Sequence, residues 1–315
     1  MKALLHYRAS PGFLSIARAH AERAGVRLAV VEETDRAGLL REIGDTEVLL
    51  HALEPVTADM IAAAPRLKLI QKIGVGLNTI DLEAARTAGV AVANMPGTNS
   101  QAVAEMTLAL MLGVLRRLSY LDAATRRGEG WSPDLALMDG AGEICGRTIG
   151  LVGYGAAPRR LAPALIALGA QVVYTARSAK PGLPGRFCGL DELLETSDIV
   201  SLHVPLTPET ERLIDARALA RMKPGAVLVN TARGGLVDEP ALLAALKDGR
   251  LSGAGLDVFA IEPVPPDSPL LGLDKVVLAP HVAWLTPETL ERSMTVAFEN
   301  CRRLQTGEPL LHRVA

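Results

Sequence analysis

Apolar positions along the chain fall in short runs separated by stretches of helical spacing. "ALLHY", "LAVVE" and "VLLHAL", at residues 3–7, 28–32 and 48–53, are continuous enough to be buried strands. "FLSIARAHAERAG" and "AGLLREIG", which separate them, read as helices. The same β-α-β rhythm continues through "LKLIQKIG", the helix "IDLEAARTAG" and the strand "VAVANMPG". A longer helical pattern from Ser100 to about Leu121 reads as a bridge, and a polar, glycine-bearing connection at residues 126–146 follows it. Six further runs, "TIGLVGYG", "QVVYTA", "DIVSLHV", "AVLVNTA", "GAGLDV" and "KVVLAP", predict a second set of strands. After Pro287, polar and charged residues fall between Leu290, Met294, Ala297 and Leu304, which predicts one helix ending at Gly307 and crossing back to the first domain.

Composition narrows the class. At 315 residues the chain has room for two domains, and 49% hydrophobic, 22% charged and 3% aromatic residues suit helices packed on aliphatic strands rather than disorder. A net charge of -2 without any block of five like charges leaves nucleic acid no electrostatic handle, so small anions must be held locally. Cys145, Cys188 and Cys301 are far apart and form no CxxC, which suggests neither a disulfide framework nor a zinc site; no metal is expected, and a reducing cytoplasm is. The first residues lack the apolar core of a signal peptide, and no apolar run reaches roughly 18 residues, so no membrane association is expected.

Gly153-Tyr154-Gly155, followed by Ala156 and Ala157, stands between a strand and a helical stretch, the setting in which glycine lets a backbone approach a pyrophosphate. Tight packing is the other reading of such glycines. Pro158 replaces the third glycine of the usual pattern and is tolerable in a first helical turn; Pro163 predicts a kinked or late-starting helix. About twenty residues past the turn, an NAD-binding chain carries a carboxylate for the ribose hydroxyls. Here stand Thr175, Arg177, Ser178 and Lys180. A 2'-phosphate would be repelled by a carboxylate and gripped by an arginine fork, so these residues favour NADP (NADPH), with NAD as the second option. An ordinary solvated loop is the alternative for Arg177 and Lys180.

Three other segments each leave a strand at its C-terminal end: "NTARGG" with Arg233, "FAIEP" with Glu262 and "APHVAW" with His281. Ligands of open α/β sheets bind at those ends, so the three can converge. Reducing a 2-oxo acid needs a cation to hold the carboxylate and polarise the ketone, which suits Arg233, and a proton donor, which suits His281. Glu262 beside His281 would favour the imidazolium, and a dihydronicotinamide would carry the hydride. Singly, each has a bland reading, as a turn cation, a surface carboxylate and a core histidine.

Together with the glycine turn and "KIGVGLNTIDLEAARTAGVAVANMPGTNSQAVAEMTLALML", these segments resemble the D-isomer-specific 2-hydroxyacid dehydrogenase family, including glyoxylate/hydroxypyruvate reductases, over essentially the whole chain. The "YTARSAK" stretch resembles the Tyr-Thr-Gly-Arg pattern of NADP users, and Met106 departs from the family's common His. The resemblance implies an α/β chain of two domains: a Rossmann-type, doubly wound dinucleotide-binding domain at residues 99–286, and a smaller flavodoxin-like substrate domain at 1–98 and 287–315, with a cleft between them. It implies that Val75 and Gly76 bind the substrate carboxylate, that Thr231, Ala232 and Asp257 surround the nicotinamide, and that Pro205 lines the adenosine pocket. His51 stands where relatives acting on phosphorylated acids can carry Arg, which suggests a smaller substrate; Trp284 reads as a pocket wall or as packing. A homodimer joined through the helix near residues 100–121 is also implied, with burial inside the domain as the alternative. The expected activity is NADPH-preferring reduction of a small 2-oxo acid such as glyoxylate or hydroxypyruvate. An NAD-linked phosphoglycerate dehydrogenase-like enzyme and a nucleotide-sensing binding protein are the alternatives. His51 and the lack of a C-terminal regulatory domain count against the first, and the lack of a long recognition tail against the second.

Overall fold

A computed structural model describes residues 1–132, 138 and 141–315; the connection expected over residues 126–146 lies partly outside the described residues. The chain divides into two compact units, Met1–Asn99 with Trp284–Ala315, and Ser100–Ala283.

In the first unit the chain alternates β1 (Lys2–His6), α1 (Pro11–Arg23), β2 (Arg27–Val31), α2 (Arg36–Ile43), β3 (Val48–His51), α3 (Ala58–Ala62), β4 (Leu69–Lys72), α4 (Leu82–Thr87) and β5 (Ala91–Ala93). The strands form one parallel sheet in the order β2-β1-β3-β4-β5, the flavodoxin-like arrangement, whose strand order reverses between β1 and β3. Both faces are covered, which is why the strands read as unbroken apolar runs. Ala3 and Leu5 pack with Phe13, Met294 and Phe298, while Leu4 on the opposite face packs with Ile43, Leu49, Ile70 and Val92. The chain's last long helix, Pro287–Thr306, belongs to this unit; Thr286 caps its first turn and Gly307, at φ 72°, ends it in the left-handed region.

The second unit begins with α5 (Ser100–Leu115) and α6 (Leu118–Arg126). It continues as β6 (Thr148–Val152), α7 (Ala156–Ala167), β7 (Gln171–Thr175), β8 (Arg186–Phe187), α8 (Leu190–Thr196), β9 (Ile199–Leu202), α9 (Ala216–Arg221), β10 (Ala226–Asn230), α10 (Glu239–Lys247), β11 (Leu251–Leu256) and β12 (Val276–Leu278). The helix Pro287–Thr306 is therefore α11. The seven strands are parallel in the order β12-β11-β10-β9-β6-β7-β8, a doubly wound Rossmann sheet whose order reverses between β6 and β9.

Two expectations need correction. The helix expected from Ser100 to about Leu121 is broken: Arg117 takes a left-handed φ of 53°, and its buried guanidinium turns inward to donate to the Ser252 carbonyl at 3.1 Å. The apolar face of α5 is internal, with Leu110, Met111 and Val114 packed among Ile149, Leu151 and Val229 of the same unit. Gly255 permits that approach, since a Cβ there would meet the Leu110 Cβ at 2.9 Å. Of the two outcomes expected for the helix after the glycine turn, a kink or a late start, the late start is excluded. The helix begins at Ala156 and runs through Pro163, which sits on an exposed side where the carbonyl left without its bond can be hydrated. Among the described residues, no helix is long and apolar enough to cross a membrane.

Candidate active site

Arg233 leaves β10, Glu262 lies in the loop after β11, and His281 lies just past β12, so adjacent parallel strands deliver all three at their carboxyl ends. The His281 Nδ1 and Glu262 Oε2 are 2.6 Å apart. The other Glu262 oxygen accepts from the Phe259 N–H at 2.9 Å, which fixes the carboxylate from behind. Burial opposes the charge on Glu262, but the bonds from His281 and Phe259 and the nearby Arg233 charge outweigh it and hold the carboxyl below its ordinary range. Burial lowers the Arg233 guanidinium from its usual value, against the pull of Glu262; arginine starts so high that it remains a cation.

Three devices hold the loops in place. Gly234 follows Arg233 because a Cβ there would lie 1.8 Å from the Phe259 carbonyl oxygen; backbone presses on backbone, and only glycine fits. The Asn230 side chain donates to the Arg233 carbonyl at 2.9 Å and accepts from the Ala232 N–H at 3.0 Å, folding the end of β10 into a turn. Asp257 is wholly buried, and its two oxygens accept from the Val282 and Ala283 N–H groups at 2.8 and 2.9 Å, while its carbonyl accepts from the His281 N–H at 2.7 Å. Burial raises the Asp257 pKa against those bonds. His281 takes φ 55°, and this clasp maintains that costly backbone state. Asp257 thus directs its hydrogen bonds at the histidine loop, and Thr231 shares a hydroxyl contact of 2.9 Å with Thr107 of α5.

The glycine turn lies at the carboxyl end of β6, beside the strand-order reversal. Gly153 has φ 96°, and a Cβ there would meet the His203 carbonyl oxygen at 2.7 Å. Gly155 is the reverse case: its backbone is extended, a Cβ would meet nothing within 4 Å, and it precedes α7 without any side-chain cap. Open space therefore lies beside Gly155 at the start of α7, whose first-turn N–H groups, including those of Ala156 and Ala157, have no partner within the helix, and a phosphate suits such a place. Tyr154 contributes no exposed ring; it is buried and stacked on Tyr174 with centroids 4.0 Å apart. The Tyr174 hydroxyl in turn accepts from the Lys180 N–H at 2.8 Å, which shapes the loop after β7. Thr175 is half-buried at the end of β7, Arg177 and Ser178 are exposed, and the Lys180 Nζ is 3.3 Å from the Ser178 Oγ. Pro205 is exposed after β9, and its carbonyl accepts from the Thr210 hydroxyl at 2.7 Å.

The remaining predicted positions belong to the first unit. His51 ends β3 and is buried. Val75 is exposed, and its carbonyl accepts from the Asn94 amide at 3.0 Å; Gly76 is half-buried next to it. Trp284 is buried in the core with its ring 6.1 Å from Tyr7, so packing occupies most of its surface. Among the described residues, no cluster of His, Cys, Asp and Glu is arranged to hold a metal ion.

Residues 108–283, more than half of the chain, match the D-isomer specific 2-hydroxyacid dehydrogenase NAD binding domain. The chain belongs to the D-isomer-specific 2-hydroxyacid dehydrogenase family. It is 41% identical to D-3-phosphoglycerate dehydrogenase of Mycobacterium leprae over 285 residues, 88% of this chain and 53% of that one. The chain therefore spans about half the length of that relative. It is 42% identical to glyoxylate reductase of Thermofilum pendens over 281 residues, covering 87% of this chain and 82% of the relative. The crystal structure of the TT0316 protein from Thermus thermophilus superposes with a TM-score of 0.89 at 39% identity over the whole of both chains. Within this dehydrogenase-family fold, Asn230 and Gly234 hold the site's loops although the sequence reading does not single them out. The doubled glycine after Arg233 is a usable signal for close backbone approach.

Proposed function

We propose that the protein reduces small 2-oxo acids to D-2-hydroxy acids and prefers NADPH. The observation that carries this reading is the 2.6 Å His281–Glu262 pair held beside the Arg233 cation at the carboxyl ends of β10, β11 and β12. Arg233 binds the carboxylate and polarises the ketone through its planar fork. His281 delivers a proton from its Nε2 to the developing alkoxide, because its Nδ1 is engaged by Glu262. Glu262 orients the ring and balances its charge. A dihydronicotinamide held here would supply the hydride, which with the proton from His281 balances the conversion of C=O to CH–OH. The residues that would hold it are Gly153, Gly155 and the start of α7 for the pyrophosphate, and Thr175, Arg177, Ser178 and Lys180 for the 2'-phosphate. We assign Val75 and Gly76 to substrate carboxylate binding, and Thr231, Ala232 and Pro205 to the cofactor's surroundings.

Similarity to D-3-phosphoglycerate dehydrogenase favours a second reading, NAD-linked oxidation of a phosphorylated acid. A neutral His51 weighs against it, since a phosphate seeks a cation. We further place the protein in the cytoplasm as a homodimer, which sedimentation at micromolar concentration tests. Initial rates of NADPH and NADH oxidation with glyoxylate, hydroxypyruvate and 3-phosphohydroxypyruvate test the activity. Reduction of the unphosphorylated acids with NADPH is expected; cofactor binding without turnover of any of them would overturn the reading.

A further inference from the structure

Between the end of β7 at Thr175 and the start of β8 at Arg186 the chain leaves the sheet and returns beside it, with Tyr174 paired to Phe187. This loop carries Arg177, Ser178 and Lys180, which the proposed function assigns to a 2'-phosphate. Exposed loops are ordinarily mobile, and a ligand that must order one loses affinity in doing so. Here the loop is fastened at several points. Ala176 and Leu183 pack against the apolar cluster that contains Tyr154 and Tyr174. The Lys180 N–H donates to the Tyr174 hydroxyl at 2.8 Å, and the Tyr154 hydroxyl donates to the Pro184 carbonyl. Arg177, Ser178 and Ala179 are thereby a short exposed span between two anchored residues, Ala176 and Lys180.

The two tyrosines form a unit of their own. Both are buried, and their rings stack with centroids 4.0 Å and planes 25° apart. Tyr154 belongs to the glycine turn, and the Gly153 N–H of that turn donates to the Thr175 carbonyl at 3.0 Å, so the turn and the root of the loop are joined twice. The cluster around the rings is apolar, and phenylalanine would fill the same space at either position. Only the hydroxyls distinguish tyrosine there. Each of them bonds to the backbone of the loop, which satisfies a polar atom that burial would otherwise leave without a partner.

We propose that Tyr154 and Tyr174 are positioning residues for cofactor choice: through their hydroxyls they hold residues 176–184 in a form ready for a 2'-phosphate. Neither ring touches the nucleotide in this arrangement. Loss of one hydroxyl frees the loop at Lys180 or at Pro184 while the ring stack keeps its place in the core. Recognition of the 2'-phosphate then weakens, because its binding must order the loop, and recognition of the rest of the nucleotide does not. The inference rests on the proposed function, since it takes Arg177 as the partner of a 2'-phosphate.

Calorimetry of adenosine 2',5'-bisphosphate and of 5'-AMP, which differ only in the 2'-phosphate, tests this without turnover. The unaltered protein is expected to bind the bisphosphate more tightly. Tyr174→Phe should reduce that preference by about three- to tenfold, as loss of one hydrogen bond dictates, with 5'-AMP affinity held within about twofold. Tyr154→Phe should reduce the preference in the same direction. A merely structural role would weaken both nucleotides alike; that outcome, or a preference that survives both substitutions, overturns the inference and leaves the proposed NADPH preference standing. Equal binding of the two nucleotides by the unaltered protein overturns the NADPH preference itself, and the inference with it. Hydrogen exchange of the unliganded protein reads the loop directly: the Lys180 amide should exchange about three- to tenfold faster in Tyr174→Phe. An unchanged rate overturns the inference whichever cofactor is preferred.

Discussion

Replacing Gly153 and Gly155 by alanine, one at a time, separates what the turn does for the fold from what it does for the cofactor. At Gly153 an added Cβ would lie 2.7 Å from the His203 carbonyl oxygen and 2.9 Å from the Val204 Cγ1, with the backbone held at φ 96°. The left-handed backbone costs an L-residue about 1–2 kcal/mol, and overpacking against a wall that includes backbone costs about 1–3 kcal/mol. Gly153→Ala should therefore destabilise the second unit by roughly 2–5 kcal/mol. At about 2–4 °C per kcal/mol, the melting transition should fall by roughly 4–20 °C. Gly155 has an allowed φ of -81° and open space where its Cβ would point. Relief of unfolded-state entropy and the loss of a tolerable N-cap roughly cancel there, so stability should stay within about 1 kcal/mol. The same Cβ occupies the open space where a pyrophosphate would approach the backbone, and NADPH affinity should fall at least about tenfold, or about 1.4 kcal/mol. Scanning calorimetry reads the first quantity and fluorescence titration of NADPH the second. An unchanged NADPH affinity in Gly155→Ala would refute the assignment of this turn to the phosphates, and an unchanged melting point in Gly153→Ala would refute the steric argument.

Other outcomes follow from the same geometry. Arg177→Asp should raise the KM for NADPH at least about tenfold, through loss of a charge-assisted pair and added repulsion, and leave that for NADH level or lower; equal effects on both would return Arg177 to the solvent. His281→Asn should lower kcat while cofactor affinity changes little, which single-turnover rates and NADPH titration check together. Arg233→Lys should cost more than its conserved charge suggests, because the fork is lost, and a kcat/KM within about twofold of the unaltered protein would contradict the role. The depressed His51 pKa makes stability depend on pH: the folded ring stays neutral to about 3 while the unfolded one protonates near 6.5. Stability is thus retained above the unfolded value and lost as pH falls toward the folded one, by roughly 2–3 kcal/mol at pH 4.5. Urea unfolding of His51→Leu should show a drop between pH 7 and 4.5 that is smaller by about that amount.

The strands other than β8, a two-residue exposed edge strand, and most of the long helices were legible because a parallel sheet covered on both faces demands continuous apolar segments, and those survive in one dimension as runs such as "VLLHAL" and "AVLVNTA". Helix stops written in residue chemistry were equally plain, as with Pro287 at one end of α11 and Gly307 at the other. Arg233, Glu262 and His281, to which we assign the chemistry, could be singled out in the sequence because each follows a strand, and the structure does place each of them just past the end of one. What the tertiary structure alone decided are matters of approach between segments distant in sequence. The break at Arg117 depends on the Ser252 carbonyl, 135 residues away. Gly234 is required by the Phe259 backbone, and Gly153 by that of His203. Asp257 became the clasp of the histidine loop, and the Tyr154 ring turned into the core, because their neighbours come from other strands. Local pattern records which faces must leave water; only packing decides which polar atoms then meet a partner.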